Sequence, residues 1–74
     1  MSGPASIDAA RAAKARLGER LAGEALVNGL GLARAGEGWA VKVNLVRAAP
    51  DLDLPAEVDG VEVRVEVVGR IEAT

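Results

Sequence analysis

Residues 61–67 read Val-Glu-Val-Arg-Val-Glu-Val, a strict alternation of β-branched and charged side chains. Successive side chains of a strand point to opposite faces. The run therefore puts Val61, Val63, Val65 and Val67 on one side and Glu62, Arg64 and Glu66 on the other. That pattern predicts a strand buried on one face and solvated on the other. The valines should face whatever layer covers the sheet. Truncating Val65 is then expected to cost about 1–3 kcal/mol, and Arg64→Ala about 0.5 kcal/mol or less. Gly69 is expected to weaken the strand before Ile71.

Only one segment can supply the covering layer. From Ile7 to about Ala22 the chain is alanine-rich and free of proline, and Ile7, Ala10, Leu17 and Leu21 recur at helical spacing, with Ala13 widening the stripe. Ser6 stands where an N-cap hydroxyl accepts from an exposed amide of the first turn, and Asp8 suits the positive end of the helix dipole. Lys14 falls near the apolar face, where its stem can lie along the edge. Gly23 is the expected end signal. Arg20 and Glu24 are four apart, a weak pairing if the helix runs that far.

Two further strands are expected. In Val27-Asn28-Gly29-Leu30-Gly31-Leu32, Leu26, Leu30 and Leu32 share one side and Val27, Gly29, Gly31 and Ala33 the other, and either side could face the helix. Ala35-Gly36-Glu37-Gly38 reads as a hairpin connection, its glycines able to take positive φ. Trp39 to about Arg47 alternates Trp39, Val41, Val43 and Leu45 with Ala40, Lys42, Asn44 and Val46. Residues 48–60 form the longest stretch without a period. Pro50 and Pro55 argue against a central strand there, and Asp59-Gly60 signals a turn. The expected fold is α+β in two layers, one N-terminal helix packed on a three-stranded antiparallel sheet in the order α-β-β-β. Residues 1–5 are expected to be a flexible leader and 6–74 a single domain.

Composition narrows the function more than it names it. The chain has 74 residues, half of them hydrophobic, but many of these are alanine and Trp39 is the only aromatic residue. So small a domain buries a modest core, which favours self-association or a protein partner. The net charge is −2 with no basic run, and one aromatic ring makes no stacking platform, so nucleic acid is not an expected partner. There is no cysteine, which excludes disulfides, thiolate nucleophiles and cysteine metal sites. The first residues lack the charged-then-apolar pattern of a secretory signal, and no apolar run approaches the roughly 20 residues of a membrane span. A cytoplasmic location is expected.

Each candidate site has a plainer explanation. Gly29-Leu30-Gly31-Leu32-Ala33-Arg34 suggests a phosphate loop, but a strand rather than a helix should follow and the third glycine is missing, so close packing explains the glycines better. Asp51, Asp53, Glu57 and Asp59 form an acidic cluster whose spacing matches no calcium loop; a solvated loop is the better reading, with weak cation binding the alternative. There is no His, Cys or Tyr, and the only hydroxyl side chains are Ser2, Ser6 and Thr74, near the ends. The usual nucleophile–base pairs cannot be assembled. Lys42, on the expected outer face, is not desolvated as an activated amine must be. No enzyme activity, catalytic residue, cofactor or metal is therefore expected. Trp39 is expected to open the second strand at the edge of the core, with a partner-contact anchor as the alternative.

Val27-Asn28-Gly29-Leu30-Gly31-Leu32, Val41-Lys42-Val43-Asn44-Leu45-Val46 and Leu54-Pro55-Ala56-Glu57-Val58-Asp59-Gly60-Val61-Glu62-Val63 together resemble a family of short uncharacterised bacterial segments. Members stand alone or ahead of trypsin-like serine protease domains. The likeness spans about residues 24–68, with Leu-Pro-Ala-Glu-Val-Asp-Gly-Val its most specific piece and Asn28 in place of an aliphatic residue. It implies an αβββ fold and carries no catalytic residue. The expected function is a non-enzymatic interaction or assembly module, with a homodimer through an edge strand or the helix in view. The alternatives are an accessory or regulatory segment for a separately encoded trypsin-like protease, and a small-ligand or ion-binding module.

Overall fold

A computed structural model describes residues 4–68. The expectations about residues 1–3 of the leader, Gly69 and Ile71 lie outside them. The helix α1 (Ile7–Arg20) is followed by β1 (Val27–Ala35), β2 (Gly38–Leu45), β3 (Glu57–Val58) and β4 (Val61–Val67). The architecture is α+β with one N-terminal helix on a sheet, but the sheet has four strands in the order β1-β2-β4-β3. It is mixed rather than antiparallel: β1 pairs antiparallel with β2, β2 pairs parallel with β4, and β3 pairs antiparallel with β4.

The helix begins at its expected cap. Ser6 is extended, and its hydroxyl accepts from the Ala9 N–H at 3.1 Å. Ser6→Ala should lower stability by about 1 kcal/mol in urea melts; an unchanged midpoint would show that water replaces the cap. The helix ends at Arg20, sooner than the alanines suggest. Leu21 caps it, and Gly23 at φ +84° turns the chain away. The Glu24 N–H donates to the Leu21 carbonyl, and the Glu24 carboxylate accepts from Leu26 N–H at 3.2 Å instead of reaching Arg20 along a longer helix.

A register shift of one residue decides which side of β1 is buried. Val27 pairs with Leu45 but Gly29 with Asn44, so exposed Asn28 is an extra residue in the ladder. A bulge resets the alternation. It brings Val27 onto the same face as Leu30 and Leu32, against the core, and leaves Gly29, Gly31 and Ala33 on the outer face. No other part of the chain lies within 4 Å of where a Cβ on Gly29 or Gly31 would be. The expectation that these two glycines admit close packing is therefore corrected: they leave the outer face of β1 bare.

The connection from β2 to β4 accounts for the parallel pairing. A parallel neighbour requires the chain to cross back over the sheet before pairing. Residues 46–60 make that return, with Ala49, Leu52, Leu54 and Val58 packed on the core. At its end Asp59 (φ +50°) and Gly60 (φ +80°) form a two-residue hairpin turn that pairs β3 with the first residues of β4. Left-handed conformations at both central residues are what such a turn demands, and Asp-Gly supplies them at little cost. The apolar residues at 52, 54 and 58 were the available sign that this stretch crosses the core.

The core is Ala10, Ala13 and Leu17 of the helix against Val41, Val43, Leu45 and Val61 of the sheet. Register puts Val41 beside Val63, Val43 beside Val65 and Leu45 beside Val67, so all four valines of β4 do share the helix-side face. Burial along that face is uneven. Val61 is 1% exposed and Val63 half-buried, while Val65 and Val67 are 50% and 51% exposed. The expected cost of truncating Val65 is corrected accordingly. Val61→Ala should destabilise by about 1–3 kcal/mol and Val65→Ala by about 0.5 kcal/mol or less. Equal losses in paired urea melts would contradict this gradient.

Candidate functional site

The exposed half of β4 lies where α1 no longer covers the sheet. Beside it runs an open cleft of about 480 Å³ lined by Leu45, Ala48, Ala49, Pro50, Leu52, Leu54, Val65 and Val67. Every lining side chain is apolar. A second hollow of about 300 Å³ shares Ala48, Ala49, Pro50 and Leu52 and adds Glu24, Leu26, Arg47 and Asp51.

The backbone at this place is incompletely paired. Val63 N–H donates to the Ala56 carbonyl at 2.9 Å, away from β2, and Val68 N–H donates to the Leu45 carbonyl at 2.9 Å, towards β2. Backbone direction alternates along a strand, so the amides and carbonyls of Val65 and Val67 also point away from β2. Strand β3 pairs only with Val61 and Glu62, and among the described residues no backbone pairs with β4 beyond Val63 on that side. A free strand edge and half-exposed valines therefore coincide.

The outer face of the sheet is polar. Lys42 Nζ lies 3.1 Å from a Glu66 carboxylate oxygen, and Arg64 Nε 3.1 Å from one of Glu62. Arg64 also donates to the Arg34 carbonyl at 3.2 Å, so its side chain spans from β4 past β2 to β1. These pairs are exposed and contribute about 1 kcal/mol or less each. Lys42 is tied to Glu66 on this face, a setting that does not desolvate an amine.

Trp39, the second residue of β2, is half-buried and packed on the core, with the Arg34 guanidinium 5.0 Å from its ring centroid. It lines neither the cleft nor the free part of β4. The four carboxylates of the acidic stretch do not converge: among the described residues no group of three or more potential ligands gathers. Asp59 instead meets Arg16 at 3.2 Å, linking the β3–β4 turn to the helix. The edge residues Val65 and Val67 were named in the sequence only as core, because alternation shows which side a residue faces and not whether anything lies over it.

Among the described residues no helix is long and apolar enough to cross a membrane. No protein-family model, curated protein or solved structure matches the chain. The resemblance to the bacterial segments thus stands on its quoted residues alone.

Proposed function

We propose that this chain is a non-enzymatic protein-interaction module and that the free edge of β4 is the surface it uses. The carrying observation is the coincidence at Val65 and Val67 of outward-pointing backbone groups with side chains half exposed beside an apolar cleft. An uncovered strand edge is a template for another strand, and proteins that do not use one blunt it with proline, charge or a covering segment. Strand addition would satisfy the backbone groups and bury the valines in one step. The opposite edge, β1, supports this less well. Asn28 distorts one end of it, and Gly29 and Gly31 offer a partner no side chains to pack on.

A photo-reactive residue at position 65, introduced into the full chain in its native host, tests this. Adducts should form at 65 and be scarce at 11, an exposed helix position. Equal yields at the two positions would overturn it. A trypsin-like protease in the adduct would support the accessory-segment alternative. The cleft volume also falls in the range of small-molecule sites, about 300–1,000 Å³. Its lining side chains are all apolar and its polar groups are those of the backbone, which a strand uses, so the strand reading is preferred.

A further inference from the structure

We infer that the occupant of this edge is a second copy of the chain, its β4 antiparallel to the first about a two-fold axis beside Glu66. The inference rests on the interaction reading above and adds the partner and the register.

Only certain registers are open. Two antiparallel strands exchange hydrogen bonds through residues whose backbones point at each other. On this edge those are Val65 and Val67, since Val63 already donates to Ala56. Centring the axis on Val65 would set the partner's Val67 opposite Val63, in the place Ala56 occupies. Centring it on Glu66 sets Val65 opposite the partner's Val67 and Val67 opposite the partner's Val65. Both amides and both carbonyls of each pair are then used, and among the described residues none of the partner falls in the place of Ala56.

The side chains agree with this register. On the helix side, four half-exposed valines meet beside the two clefts. A two-fold axis perpendicular to the sheet keeps the two clefts on one face, where they form a continuous apolar strip. On the outer face the two Glu66 carboxylates meet at the axis, a pairing that alone is unfavourable. Each is held by its own Lys42 at 3.1 Å, while Arg64 stays turned away from the axis, on Glu62 and the Arg34 carbonyl. The axis thus places two carboxylates beside two Lys42 ammonium groups. Closed two-fold dimers are also the commonest assembly of small chains.

The chain has no cysteine, so single-cysteine variants report on the register without background. In a non-hydrogen-bonded antiparallel pair the Cα atoms are about 4.5 Å apart, within disulfide range. Glu66→Cys should therefore cross-link the dimer under mild oxidation at least tenfold faster than Arg64→Cys. The latter thiols would sit four residues out of register, on the order of 13 Å apart along the strands. Sedimentation equilibrium of the unmodified chain should give a dimer. Val65→Lys should weaken it at least tenfold while leaving the monomer's circular dichroism intact, because position 65 is half exposed in the monomer.

A monomer persisting at high micromolar concentration, with equal cross-linking of the two variants, would overturn the inference. So would a dimer in which Arg64→Cys cross-links as fast, or in which the Val65 and Val67 amides exchange freely. In-cell adducts at position 65 with a different protein, and none at twice the chain mass, would remove the second copy as occupant while leaving the interaction reading in place.

Discussion

Leu17→Ala should unfold most of this protein's stability margin. Leu17 is 1% exposed and is the largest side chain that the helix buries, with Ala10 and Ala13 its only fully buried neighbours on α1. Removing a buried leucine side chain to alanine costs about 2–5 kcal/mol, the higher values where the cavity cannot collapse. Collapse is hard here, because the opposing Val41 and Val43 are held in a paired central strand and cannot follow the missing methyls. A chain of this size has a total stability of about 4–11 kcal/mol at typical values per residue. A urea melt followed by Trp39 fluorescence should show a large loss of midpoint with the same slope. A loss below about 1 kcal/mol would mean that the helix is not the principal cover of the sheet.

Gly38→Ala should be the most damaging change of a single methyl group. Gly38 begins β2 with a negative φ, so the backbone angle is not what requires glycine. The space is. A Cβ there would lie 2.7 Å from both the N and the O of Ala5 and 2.8 Å from the Cβ of Pro4. Two of these atoms are backbone, and Ala5 is fixed by its carbonyl, which accepts from Trp39 N–H at 3.0 Å. Either that bond breaks or the strand start moves, for a cost of about 1–3 kcal/mol typical of forced overpacking. Denaturant melts and amide exchange at Trp39 would report it. Unchanged protection at Trp39 with unchanged stability would show that the segment before the helix docks elsewhere. Gly36, with φ +60°, is the hairpin glycine required by conformation. The two glycines flanking Glu37 thus do different work, although the sequence presents them as one turn signal.

What the sequence determined is local. Ser6 as cap, the helical stripe through Ala10, Ala13 and Leu17, the turns at Gly36 and Asp59-Gly60, and the two faces of β4 all follow from spacing and from the conformations those residues accept. Three features were left to the tertiary structure. Side chains alternate with the same period in parallel and antiparallel strands, so β4 reads identically either way. Its parallel pairing with β2 was decided by the return of residues 46–60 across the sheet, with Leu52 and Leu54 partly buried on the way. The face of β1 depended on one extra residue at Asn28, which shifts every side chain before it to the other side. The exposure of Val65 and Val67 depended on how far the cover extends. A helix of 14 residues is about 21 Å long. It covers Val61 fully and Val63 in part, and it leaves bare the end of the same valine row where the candidate site lies.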